Sequence, residues 1–136
     1  MNIYKINYAI VQKKMTYKYS NKSLKNLNTC DIKLAFLFMA VIEQIDCSII
    51  CGYRGYKDQE KAFNKGTSLA HFGQSKHNKS PSMAVDVLPY PFKGWDDLEQ
   101  FDRLAEVVKR TADDMNIKIK WGGDWSRFAD FPHWEI

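Results

Sequence analysis

Apolar residues recur at three- and four-residue steps from Asp31 to Ile45, with Ile32, Ala35, Phe36, Met39, Ile42 and Ile45 on one face and Asp31 as a suitable cap. This spacing predicts a core-facing helix. The short apolar run Ser48–Tyr53, closed by Gly52, predicts a buried strand leading into a loop. Residues Lys57–Lys65 read as a helix ended by Gly66, and the polar stretch Phe72–Ser82 reads as a surface loop. Met83–Leu88 is the next predicted strand, and its alternation puts Ala84, Asp86 and Leu88 on one face. A second long helix is predicted from Asp96 to Asn116, burying Leu98, Phe101, Leu104, Ala105, Val108, Ala112 and Met115. Strict alternation in Ile117–Trp121 predicts a half-buried strand, followed by a Gly122-Gly123 turn. A terminal strand, His133–Ile136, sets His133 and Glu135 on one face and Trp134 and Ile136 on the other. The sum is an α+β domain, a small and mainly antiparallel sheet packed against helices.

At 136 residues, 45% of them hydrophobic, the chain suits one domain. Repeats, low-complexity tracts and linkers are absent, and the expected division is a loose N-terminal arm over residues 1–19 and one domain over 20–136. Twenty Lys and Arg against 16 Asp and Glu leave a net charge of +4. That is too mild for a nucleic-acid binder, although it favours anionic surfaces. The longest apolar run, Leu34–Ile42, is about half of the roughly 20 residues a membrane span needs, so no membrane insertion is expected. Met1–Lys14 has neither the apolar segment nor the cleavage site of a secretion signal, and synthesis in the cytoplasm without a signal peptide is the expectation. Cys30, Cys47 and Cys51 lack zinc-knuckle or redox-pair spacing and read as free thiols.

The chain has three histidines, His71, His77 and His133. His77 lies in the polar loop just before the strand that carries Asp86, and His133 follows Asp130 by three residues. Two such histidines and a carboxylate are able to supply three ligands to zinc and leave a fourth position for water, the arrangement of a catalytic site. Asp86 is the misfit in Met-Ala-Val-Asp-Val-Leu, because a carboxylate is costly to bury without a metal or hydrogen-bonding partner. Spacing alone leaves a second reading open, in which Asp86 faces solvent and the two histidines are unrelated surface groups.

Several short segments bear on that choice. Cys51-Gly52-Tyr53-Arg54 followed by Gln59, Ser75-Lys76-His77-Asn78, Ser82–Val87, Trp121-Gly122-Gly123-Asp124-Trp125 and Asp130-Phe131-Pro132-His133-Trp134-Glu135 occur in that order. Together they resemble a zinc peptidase family that comprises D-alanyl-D-alanine carboxypeptidases and phage L-alanyl-D-glutamate endopeptidases, the VanY-like endolysins. The resemblance spans about residue 20 to Ile136 and implies a zinc site on the sheet face, as in the Hedgehog and D-Ala-D-Ala peptidase fold. It implies His77, Asp86 and His133 as zinc ligands and Asp130 as general base. Arg54 is implied as a catalytic and substrate-binding group, with Gln59 and Ser75 lining the substrate cleft. Metal-bound histidines commonly donate their other ring hydrogen to a carboxylate, a role open to Glu135 or Asp124, which are otherwise structural. His71 matches no fixed family position and reads as an exposed loop residue, and the tryptophans read as core or cleft walls. The family's usual seven-residue spacing from His to Asp is nine here, across Lys79-Ser80-Pro81.

The implied activity is zinc-dependent hydrolysis of the L-alanyl-D-glutamate bond of peptidoglycan stem peptides by a monomeric, endolysin-type enzyme. It would reach the wall through a membrane breach. Trimming of terminal D-alanine, or a zinc-stabilised binding module without catalysis, are the alternatives.

Overall fold

The computed structural model describes residues 17–136. Most of the expected arm, residues 1–16, lies outside the described residues. Within the expected arm, the Tyr19 hydroxyl donates to the Phe38 carbonyl at 2.7 Å.

Helix α1 (Asn21–Leu27) opens the described fold and is capped by Ser20, whose Oγ accepts from the Ser23 amide. Nothing in the hydrophobic spacing predicted it. Helix α2 (Ile32–Val41) has the expected Asp31 cap. It ends four residues earlier than predicted, and it buries a face that shares only part of the predicted one, with Ile42 buried and Ala35 and Ile45 partly buried against the core. Leu34, Leu37, Phe38 and Val41 are in the core, whereas Ile32, Phe36 and Met39 are exposed. Both sets repeat at three- and four-residue steps, because the helix is apolar almost all round, so periodicity could not choose between them.

Strand β1 (Cys47–Cys51) leads to helix α3 (Tyr56–Asn64), which Gly66 follows with φ of 77°. This is the left-handed conformation that suits glycine just past a helix end. Strand β2 (Ala84–Pro89) precedes helix α4 (Leu98–Asp114). The α4 stripe lies as predicted in its middle, but Leu98 and Met115 at its ends are exposed. Strands β3 (Lys120–Trp121) and β4 (His133–Glu135) complete an antiparallel sheet of order β1-β2-β4-β3.

The predicted strand Ile117–Trp121 is thus only two residues long. Its neighbour β4 has three residues, and pairing is limited to Lys120 with Glu135 and Trp121 with Trp134. Ile117 and Ile119 still pack against the core. That core lies between the sheet and helices α2 and α4, with Trp121 and Trp134 stacked at 5.6 Å inside it. The opposite face of β2 and β4 carries Asp86, His133 and Glu135.

Candidate metal centre

Asp86 on β2 and His133 on β4 are cross-strand partners, which brings their side chains together on one face. A bulge in β1 adds Cys51 to this row. Ile49 pairs with Val87 but Cys51 pairs with Asp86, so two residues of β1 oppose one of β2 and the Cys51 side chain is re-aimed.

His77 arrives from the polar segment between α3 and β2. A short 3-10 turn, Lys76–Asn78, folds this segment inward under a reciprocal cap, in which the Ser75 hydroxyl accepts from the His77 amide and the Asn78 carboxamide accepts from the Ser75 amide. His77 is only 2% exposed, so the expected surface loop is not solvated at this residue.

Three atoms converge. His77 Nε2 lies 3.2 Å from Asp86 Oδ1 and 3.2 Å from His133 Nδ1, and His133 Nδ1 lies 3.4 Å from Asp86 Oδ1. The rear nitrogens fix the tautomers. His77 Nδ1 is 2.8 Å from the Gly52 carbonyl, and His133 Nε2 is 2.8 Å from Glu135 Oε1, so each rear nitrogen is the donor. Both inward nitrogens then present lone pairs to a carboxylate oxygen. Three acceptors at this spacing repel unless a cation lies among them. Ligand atoms bonded to tetrahedral zinc at about 2.0–2.1 Å are roughly 3.3–3.4 Å apart, which matches the observed triangle. The donor set fits the ion.

The ionisation of these groups shows the same demand for positive charge. Burial pushes the His77 pKa down, but the Asp86 carboxylate and Cys51 outweigh burial and raise it to about 10. Burial pushes the Asp86 pKa up, yet hydrogen bonds from His133 and His77 hold it well below the carboxylate range. The His133 pKa is also raised, because Asp86 overcomes the effect of burial. Without a metal, protons on the imidazoles supply the cation.

The turn before β4 carries Asp130. Its amide donates to the Gly122 carbonyl at 2.9 Å, and its carbonyl accepts from the His133 amide at 3.2 Å. Gly122 is required there, since a Cβ would collide with the Asp130 carbonyl and touch the His133 Cβ. Burial, followed by the negative charge of Asp86, raises the Asp130 pKa, while the charges of His133, His77 and Arg54 act in the opposite direction.

Arg54 Nη2 lies 3.3 Å from Asp86 Oδ2, and Arg54 Nη1 donates to Gln59 Oε1 at 3.3 Å. Gln59 is where the structure departs from the expected cleft lining. It is 0% exposed, its oxygen accepts from Arg54 and Asn78, and its amide donates to the Ser68 hydroxyl and the Ala70 carbonyl. With no face open to substrate, it orients Arg54 instead. Ser75 is half-buried, and its hydroxyl caps the His77 turn.

Of the two acids left open by the sequence, Glu135 touches His133, whereas Asp124 pairs with Lys109 at the surface. His71 is exposed and pairs with Glu60. Trp121 and Trp134 are core residues. Trp125 is partly exposed, with its ring 5.1 Å from that of His133.

Cys51, a free thiol, borders this centre. Its Sγ, with ligand atoms of His77 and Asp86, forms a group within 4.8 Å. Its sulfur approaches the rear nitrogen of His77 at 3.9 Å and Arg54 Nη2 at 3.6 Å, so it stands behind the converging triangle. The signal that would have found it is the β1 bulge, which the residue pattern does not reveal.

The family model for phage L-alanyl-D-glutamate peptidases matches residues 15–135. The chain belongs to that family. This member is 30% identical over 128 residues to the L-alanyl-D-glutamate peptidase of Escherichia phage T5, with 90% of each chain covered. It is also 30% identical over 112 residues to the peptidoglycan L-alanyl-D-glutamate endopeptidase CwlK of Bacillus subtilis, covering 68% of this chain and 61% of CwlK. Its fold is shared with the Serratia marcescens L-Ala D-Glu endopeptidase ChiX, at a TM-score of 0.75 and 23% identity over 90% of this chain and 92% of ChiX.

Proposed function

We propose that this chain is a zinc-dependent endopeptidase that hydrolyses the L-alanyl-D-glutamate bond of peptidoglycan stem peptides. The observation that carries the proposal is the triangle of His77, Asp86 and His133 lone pairs, whose edges suit one tetrahedral ion. Zinc held by His77, Asp86 and His133 would supply a Lewis acid able to lower the pKa of water to about 7.

The protein groups divide the remaining work. Asp130, with its raised pKa, is suited to accept a proton from the attacking water and pass it to the leaving amine. Arg54 keeps its guanidinium at the rim of the site, where it faces either a substrate carboxylate or the oxyanion developing at the scissile carbonyl. Gln59 and Asn78 keep Arg54 in place through its side chain and its carbonyl. Ser75 holds the turn that presents His77, and Trp125 forms a wall beside His133.

The bond assignment follows the substrate named for the T5 and CwlK relatives. A stem peptide is rich in carboxylates, and the +4 net charge favours that partner. Among the described residues no helix is long and apolar enough to cross a membrane. We infer that the protein acts as a monomer on the wall after passing through a membrane breach made by another protein.

Incubation with purified sacculi tests the activity. New amino termini are expected with zinc and not after chelation. Defined muropeptides separate this reaction from removal of terminal D-alanine, because the two products differ in mass. Loss of D-alanine alone would overturn the assigned bond.

A further inference from the structure

The two metal-facing histidines take their tautomers from different kinds of partner. His77 is fixed by a backbone carbonyl, that of Gly52. His133 depends on a side chain, Glu135, two residues along the same strand and on the same face.

Glu135 is itself held. Its Oε1 accepts from His133 Nε2 at 2.8 Å, and its Oε2 lies 3.1 Å from Lys76 Nζ. Lys76 also donates to the Ile136 carbonyl at 2.8 Å, so its ammonium is anchored at two points. Lys76 stands next to His77 in the same 3-10 turn. One ion pair therefore ties the turn that bears His77 to the strand that bears His133. Glu135 is largely shielded, with 16% of its side chain exposed.

We propose that Lys76 and Glu135 are positioning residues, a strap that keeps the proton of His133 on Nε2 and its Nδ1 lone pair turned toward His77 and Asp86. Glu135 acts through His133, and Lys76 acts through Glu135. Without the carboxylate, the proton is free to occupy Nδ1, where it blocks the donor. Without the ammonium, Glu135 loses the contact that keeps it on the imidazole. This inference rests on the zinc-dependent reading above.

The test is zinc affinity of the purified full chain, measured by chelator competition, together with the melting temperature of each metal-free variant. Wild type is expected to bind one zinc ion. E135A is expected to bind about 10–100-fold more weakly, the usual cost of losing such a partner. E135Q keeps an oxygen that accepts from Nε2 and should recover most of that loss. K76M should weaken binding less than E135A, K76R should restore it, and K76M should add nothing when combined with E135A. Imidazole nitrogen NMR of the metal-free proteins, at a pH alkaline enough to leave the imidazoles neutral, should show the Nε2–H form of His133 in wild type and a mixture in E135A.

E135A binding zinc within about twofold of wild type would overturn the strap, as would an equal K76M effect with and without Glu135. A lower metal-free melting temperature with unchanged zinc affinity would make the pair merely structural and also overturn it. If E135A does not fold, E135Q and K76M still probe both ends. Failure of wild type to bind zinc would instead overturn the zinc-dependent reading, and the strap with it.

Discussion

Asp86 and His133 face each other across the β2–β4 ladder, with Asp86 Oδ1 3.4 Å from His133 Nδ1. Cross-strand register thus brings together two residues 47 positions apart in the chain, and the inward-folded 3-10 turn adds His77. The sheet fixes two of the three donors before any side chain adjusts. Such a rigid platform suits a site that must hold three acceptors close together against their mutual repulsion.

Replacing Asp130 by Asn separates catalysis from metal binding. The variant should retain zinc while losing about 10²–10⁴-fold in hydrolysis, the typical contribution of a positioned general base. Metal content and turnover measured on the same preparation check this. Unchanged turnover would remove the general-base role from Asp130, whereas a wild type that holds zinc but shows no turnover would favour a zinc-stabilised binding module.

Arg54→Lys preserves the charge but not the fork that reaches Asp86, Gln59 and Cys51. Activity should fall by about 10²–10³-fold, as for loss of a donor to a developing oxyanion. Steady-state kinetics on a defined muropeptide would show whether the loss lies in kcat, as for an oxyanion donor, or in KM, as for a carboxylate anchor.

The metal-free protein should lose stability as the pH rises from about 6.5 to 10. The His77 pKa is raised from 6.5 to about 10, so its stabilising contribution is complete below pH 6.5 and is lost on approach to 10. Asp86 works in the opposite sense: its pKa lies below 3.8, so its contribution is present above pH 3.8 and disappears on further acidification. Zinc competes with the imidazole protons, and its stabilising effect should therefore grow over the interval in which the metal-free fold weakens. Melting curves with zinc and with chelator, between pH 6 and pH 9, provide the comparison. Parallel curves would contradict it.

Helix α2 gives a stability test. Leu37→Ala, at a fully buried position, should cost about 2–5 kcal/mol. Phe36→Ser, at a position 60% exposed, should change stability by roughly 0.5 kcal/mol or less. Denaturant unfolding of both variants would show which face of the helix is inside.

The same helix shows where sequence reading ran out. Its existence and its Asp31 cap were legible, but an almost uniformly apolar helix hides its orientation, which is set by packing against α4 and against Trp134 of β4. Helix α1 lacked a periodic signal and depends on its Ser20 cap and on its packing against β1. The shortening of β3 follows from the length of β4, a partner 12 or more residues away. At the site, an acid in an apolar strand and scarce histidines singled out Asp86, His77 and His133 as candidates, while their grouping as a ligand set and the role of Asp130 rested on the resemblance of the ordered motifs. Cys51 and the burial of Gln59 were not, since one depends on a bulge and the other on a network closed by Ser68, Ala70 and Asn78.

Zinc K-edge X-ray absorption on the purified protein tests the centre most directly, because it distinguishes the His77, Asp86 and His133 set from one that includes the nearby Cys51 thiol. The expected result is one zinc per chain in a shell of nitrogen and oxygen at about 2.0–2.1 Å, with imidazole scattering from two histidines. A sulfur neighbour at about 2.3 Å, or a protein that takes up no zinc, would contradict it.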